Sequence, residues 1–284
     1  MSGGEKMRWK KLFTPVENLD ADSVRQYMKE HREGTFTLLD VRQPAEYEKL
    51  HLPGAKLIPL PELTDRLEEL NLDEPLIVYC AIGGRSRAAG QLLAGKGFNE
   101  VYNLKGGINA WQDRTATGTV EMGEVHLTGE ETEKEIILFI YSMEAGLERF
   151  YLQAAEAITD VKVADMLEKL AGIETGHKER VLNLYAALDP GTFDRSSFEA
   201  LTSSALMEGG FDIDTFLREN RKPMQTVSGV LDIAMMLETQ ALDLYLRVAQ
   251  DAEEKSGQAV LYNIAEEEKA HLTALGRLLE ERIE

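Results

Sequence analysis

PLIVYCAIGGRSRAAGQLLAGKG, residues 75 to 97, decides the architecture of the first part of the chain. A short apolar run rich in β-branched and aromatic residues is followed by a turn through two consecutive glycines and then by a helix-like stretch. The expected order is strand, tight loop, helix, with Cys80 at the strand end and the helix beginning near Ser86. In such a loop the backbone N–H groups around Gly83 and Gly84 can point inward, and the thiol sits at the positive end of a helix dipole. Both effects lower a thiol pKa and stabilise an anion on sulfur. Arg85 and Arg87 add positive charge. An isolated cysteine after a strand is most often a buried structural residue. The flanking Gly-Gly-Arg-Ser makes this one a candidate nucleophile.

Outward from this stretch, apolar runs alternate with helical patterns up to about residue 115. TLLDV (37–41), KLIPL (56–60) and EVYNL (100–104) read as strands, and DSVRQYMKEH (22–31) as a helix. This alternation predicts an α/β domain over residues 1–115. TATGTVEMGEVHLTGEETE, from 115 to 133, lacks sustained periodicity and is rich in Thr and Gly, so residues 116–130 read as a linker with room for a short strand. Beyond it, apolar residues recur at helical spacing over about 131–158, 161–188, 226–251 and 256–282. Four helices of that length predict an all-α four-helix bundle over 131–284. Asp189-Pro190-Gly191 stops the second helix and Pro223 precedes the third. The segment between them is long enough to carry the chain back along the bundle, so that the third helix lies parallel to the second.

The 284 residues suit two domains. Of the net charge of −19, residues 1–115 hold 16 Lys/Arg against 17 Asp/Glu, so nearly all of the negative charge lies in the second part. Such a surface repels phosphates and anionic lipid, which argues against nucleic-acid and membrane binding. MSGGEKMRWKKLF lacks the apolar core of a signal peptide, and IILFIY at 136–141 is too short to span a bilayer. A cytoplasmic protein is expected. With one cysteine the chain cannot form an internal disulfide or a four-cysteine metal site.

The second part contains two Glu-x-x-His pairs, Glu174 with His177 and Glu268 with His271. Residues three apart share a helix face, so both side chains can reach one ion. Alone the pattern is weak, and Glu48 with His51 also matches it. The surroundings are more specific. Glu144 and Glu238 each stand 30 residues before the Glu of a pair, and each is followed seven residues later by a tyrosine, Tyr151 and Tyr245. The half-domain therefore repeats at an offset of 94 residues. One carboxylate from each of two helices, plus a Glu-x-x-His from each of the other two, is a ligand set for di-iron or di-manganese bundles. Carboxylate with imidazole suits iron or manganese better than thiol-loving metals.

Two resemblances follow. LLDVRQPAEYEKLHLPGAKLIPL (38–60), CAIGGRSR (80–87) and LKGGINAW (104–111) resemble three ordered motifs of the rhodanese family. That implies a parallel-sheet sulfurtransferase domain in which Cys80 becomes a persulfide and passes sulfur to a thiol or cyanide. Arg85 would assist catalysis, Ala81, Ile82, Gly83, Gly84 and Ser86 would form the loop, and Asp40 and Arg42 would support it. His51, Pro53 and Gly54 read as turn and packing residues. A phosphatase loop would place arginine six residues after the cysteine, where this chain has Ser86. No second thiol in the chain can resolve the persulfide, so a sulfane-sulfur donor and an external thiol acceptor are implied.

Residues 131–284 resemble the ferritin-like superfamily, rubrerythrin-like proteins in particular. That implies two iron ions held by Glu144, Glu174, His177, Glu238, Glu268 and His271, reacting with oxygen or peroxide, with Tyr151 and Tyr245 nearby. It also makes a homodimer plausible. The rubredoxin module of typical rubrerythrins is absent from the sequence, so an external electron donor is implied. Ala241 stands where peroxide-reducing relatives carry a further glutamate, and Glu148 is the candidate substitute. The alternatives are a sulfur-binding or sensing module with a metal-storage or structural bundle, and an interaction scaffold.

Overall fold

The computed structural model describes residues 16–118, 131–188, 193–202, 206–207, 211–252 and 255–283. The chain divides into two compact units, 1–121 and 122–284.

The first unit is built on a five-stranded, fully parallel sheet. Its strands are β1 (Glu17–Leu19), β2 (Thr37–Asp40), β3 (Lys56–Leu57), β4 (Leu76–Tyr79) and β5 (Val101–Leu104), in the order β1-β5-β4-β2-β3. Helices α1 (Ala21–Glu30), α2 (Pro44–Tyr47) and α3 (Gly84–Lys96) connect them. Side chains alternate across β4. Ile77 and Tyr79 pack with Val24 of α1, whereas Leu76, Val78 and Cys80 pack with Ala89 and Leu93 of α3. Both sheet faces are thus covered, as a parallel sheet requires. The KLIPL run contributes two strand residues, and the Ile58 and Leu60 N–H groups beyond them still donate to Asp40 O and Val41 O, which leaves Pro59 facing the open sheet edge. The stretch read as a linker begins inside this unit: Ala116 and His51 exchange backbone hydrogen bonds of 2.8 Å, and the Gly118 N–H donates to Glu48 O. Residues 119–130 lie outside the described residues, as does the Asp189-Pro190-Gly191 stop.

The second unit contains four long helices, α4 (Glu133–Ala157), α5 (Val161–Leu188), α8 (Val227–Asp251) and α9 (Lys255–Ile283). Each packs on two others: α4 on α5 and α9, α8 on α5 and α9. Thr132 and Glu135 form a capping box at the start of α4, and the Thr226 hydroxyl accepts the Gly229 N–H at the start of α8. Two apolar clusters fill the interior. One joins the start of α4 (Ile136, Ile140) to the ends of α5 (Val181) and α8 (Val248) and to the start of α9 (Leu261). The other joins the end of α4 (Phe150, Ala154) to the starts of α5 (Val163) and α8 (Val230) and to Leu275. Helices α4 and α5 therefore run antiparallel, and α8 runs parallel to α5. The intervening chain forms α6 (Arg195–Leu201), a short β6–β7 hairpin (Leu206–Met207 with Phe211–Asp212) and α7 (Ile213–Asn220), and places Phe198 and Phe216 against the two clusters. No described helix is long and apolar enough to cross a membrane.

Candidate functional site

Between the two apolar clusters of the second unit lies a polar layer. Glu144, Glu174, His177, Glu238 and Glu268 are buried, and the His271 side chain is 16% exposed. Among the described residues, two groups have ligand atoms close enough to share an ion: Glu144 with Glu174 and His177, and Glu238 with Glu268 and His271. Nδ1 of His177 lies 2.9 Å from Oε2 of Glu174 and 3.3 Å from Oε2 of Glu144. Nδ1 of His271 lies 3.3 Å from Oε2 of Glu268 and 3.8 Å from Oε2 of Glu238. The two rings stack, with centroids 3.7 Å apart, so the halves of the repeat meet. Burial pushes the Glu238 carboxyl up, but hydrogen bonding with Glu268 and His271 outweighs it and holds the group below the ordinary range. Oxygen with imidazole donors in this arrangement fits a hard or borderline divalent metal.

Tyr151 and Tyr245 are fully buried. Glu148 is held by Lys178 and by the Thr175 hydroxyl, both at 2.5 Å. The repeat is not symmetric here, since the positions 94 residues on from Glu148 and Lys178 are Leu242 and Leu272. Nothing in the helical spacing singles out Lys178, whose partner is on another helix.

In the first unit, Cys80 follows β4, the central strand, at the carboxyl end where parallel sheets present their loops. The helix starts at Gly84, with Gly83 as its cap at φ +91°. The Gly83 N–H donates to Sγ of Cys80 at 3.1 Å, and Oγ of Ser86 lies 3.4 Å from that sulfur. Burial alone would raise the thiol pKa; the Ser86 hydroxyl and the backbone N–H groups of Ser86, Ile82 and Gly83 outweigh it, so the pKa is lowered. The loop rests on the segment after β5: Ile108 N–H donates to Cys80 O at 2.8 Å and Asn109 N–H to Ala81 O at 3.1 Å. Ile82, at the loop tip, is 72% exposed.

Asp40 and Arg42 are buried together. The Arg42 guanidinium donates to both Asp40 oxygens, closest at 2.6 Å, and to Leu50 O at 2.7 Å, and it lies over the Tyr79 ring. They tie the end of β2 to the Leu50 carbonyl. His51 is also buried, stacked on Tyr47.

A rhodanese-like domain family model matches residues 21–114. Thiosulfate sulfurtransferase GlpE of Pseudomonas syringae pv. syringae is 36% identical over 90 residues, which cover 32% of this chain and 85% of that protein. The chain belongs to the rhodanese-like family. Two Bacillus subtilis proteins are also similar to its rhodanese-like unit. One is the uncharacterized protein YqhL, 46% identical over 74 residues, covering 26% of this chain and 59% of that one. The other is the putative sulfur carrier protein YrkF, 38% identical over 81 residues, covering 28% and 44%. The chain thus spans less than two thirds of the length of these two relatives.

In the rhodanese-like unit, Arg85 is not a free cation. Its guanidinium forms two 2.7 Å hydrogen bonds with Glu46 of α2, which lower the Glu46 carboxyl to about 2. Cys80 is near enough to reinforce the Arg85 charge further. Sequence reasoning missed Glu46, and also Asn103, whose Oδ1 lies 2.6 Å from Oγ of Ser86. An asparagine inside the otherwise apolar run VYNL was the available signal.

Proposed function

We propose that the chain is a sulfurtransferase that forms a persulfide on Cys80, fused to a ferritin-like di-iron redox unit. The observation that carries the first half is Cys80 Sγ facing the Gly83 N–H at the start of α3. The Cys80 thiolate attacks the sulfane sulfur of a donor such as thiosulfate; an S–S bond forms, and the remainder of the donor leaves with the bonding electron pair. An external thiolate then attacks the terminal sulfur, and Cys80 departs as thiolate. The relative named a thiosulfate sulfurtransferase supports this reading.

In the second half, Glu144, Glu174 and His177 would hold one ion and Glu238, Glu268 and His271 the other. A pair of iron ions bound there would supply redox chemistry toward oxygen or peroxide. The chain's own contribution is to supply the carboxylate charge, fix the imidazoles by stacking and keep bulk water out between two apolar clusters. The donor sets support this half. Electrons come from an external reductant. The test is paired: thiosulfate-dependent sulfur transfer should vanish in Cys80→Ser, while purified protein should bind about two irons per chain. Retained transfer sinks the role of Cys80, and a unit that cannot be loaded with metal sinks the second half.

A further inference from the structure

A polar chain runs away from the reactive sulfur, and its direction is fixed by its far end. The Arg87 guanidinium has only donors, and its Nη2 lies 3.4 Å from Oδ1 of Asn18. Asn18 therefore presents its oxygen. The group 2.7 Å from that oxygen must be the amide nitrogen of Asn103, so Asn103 presents its own oxygen to Ser86 at 2.6 Å. A hydroxyl has one hydrogen and two lone pairs. With its hydrogen given to Asn103, Ser86 cannot at the same time donate it to Cys80 across the 3.4 Å gap, the other arrangement open to that hydroxyl. It then accepts the S–H of a neutral thiol. It can stabilise an anion on sulfur only if the hydrogen turns back and the Asn103 bond is given up.

We propose that Asn103, oriented by Asn18 and Arg87, is a positioning residue that keeps Ser86 turned as an acceptor toward Cys80 until negative charge forms on the sulfur. Asn103 and the sulfur thereby compete for the one Ser86 hydrogen, which becomes available to the thiolate or persulfide once the proton has left to solvent. Of the charged groups nearby, Arg85, tied to Glu46 of α2, acts on the sulfur; Arg87 of α3 and Lys105 after β5 line one shallow pocket with Gly83, and the Asp40–Arg42 pair lies at the end of β2, opposite Tyr79 of β4. None of these changes in the neutral substitutions below. The inference rests on the reading of Cys80 as the reactive thiol.

The experiment is a pH titration of Cys80 by iodoacetamide alkylation of the full chain, which reports this sulfur alone because the chain has one cysteine. Asn103→Leu removes the competing acceptor, and the midpoint should fall by about half to one pH unit, a three- to tenfold gain in thiolate below the midpoint. Asn18→Ala, at an exposed position, frees the Asn103 amide to turn and should shift the midpoint the same way by a smaller amount. It also decides the matter if Asn103→Leu does not fold. In a Ser86→Ala background neither substitution should move the midpoint. Unchanged midpoints, or equal shifts with and without Ser86, overturn the inference. Alkylation needs no turnover, so normal midpoint shifts in a protein without sulfur transfer would instead overturn the sulfurtransferase reading.

Discussion

The imidazoles of His177 and His271 stack with their planes within 8° and their centroids 3.7 Å apart. These residues stand 94 positions apart, on α5 and α9, and each is flanked by its own pair of buried carboxylates. The stack is where the two halves of the internal repeat meet. It places two candidate ligand sets side by side in one polar layer.

Metal loading should stabilise this unit. An ion that binds only the folded chain, present at one hundred times its Kd, adds about 2.7 kcal/mol, or roughly 5 to 10 °C in the melting midpoint of a unit this size. Anaerobic iron(II) or manganese(II) should produce that rise in calorimetry. Glu174→Ala and Glu268→Ala should each lose at least one metal equivalent and most of the rise. An unchanged metal content in both variants would remove the proposed site.

Glu46 gives the rhodanese-like unit a pH signature. Its folded pKa of about 2 lies below the ordinary 4.5 because Arg85 hydrogen-bonds to it. A depressed carboxyl contributes stability that is complete above about 4.5 and is lost as pH falls toward 2. Both side chains are more than a third exposed, so the contribution is on the order of 0.2 to 1 kcal/mol. Glu46→Gln should therefore be less stable than the parent at neutral pH by that amount, with the gap closing between pH 4.5 and 2 in urea titrations. A constant gap across that range would mean that the pair contributes nothing electrostatic.

The long helices were legible because their apolar periodicity and caps are local. The stretches 131–158 and 226–251 became Glu133–Ala157 and Val227–Asp251. The six ligand candidates were legible because the repeat preserved their spacing. β1 was not, since Glu17–Leu19 is three residues long and becomes a strand only by pairing with β5. Glu46 with Arg85, Asn103 with Ser86 and Lys178 with Glu148 are separated by 39, 17 and 30 residues. Such pairs are made by the fold, and no local pattern announces them.

Asp40→Ala should be among the most damaging single changes. It would leave the Arg42 guanidinium, 3% exposed, without its carboxylate. Breaking a buried pair from one side costs about 3 to 5 kcal/mol. Replacing both partners with apolar residues should cost less, because no unpaired charge remains. Chemical denaturation of the single and double variants checks the order, and a double variant worse than Asp40→Ala would refute this account.

Gly107→Ala tests how closely the cysteine loop is fitted to its support. Gly107 sits at φ +61°, and a Cβ built there would stand 2.2 Å from Cys80 O and 2.6 Å from Ala81 C. Both obstacles are backbone atoms of the Cys80 loop, so the added methyl must displace the loop or the segment after β5. Either movement disturbs the hydrogen bonds from Ile108 and Asn109 that hold the carbonyls of Cys80 and Ala81. Overpacking of this kind costs about 1 to 3 kcal/mol, and the left-handed backbone adds to it. Sulfur transfer should fall by more than tenfold even at temperatures where the variant remains folded, because the Gly83 N–H and Cys80 Sγ lose their alignment. Gly97→Ala is the control: its φ is similarly positive at +106°, but its added Cβ meets nothing within 4 Å. That variant should lose stability and keep its transfer rate per folded molecule. Equal transfer rates in the two variants would show that the loop does not depend on Gly107 for its shape.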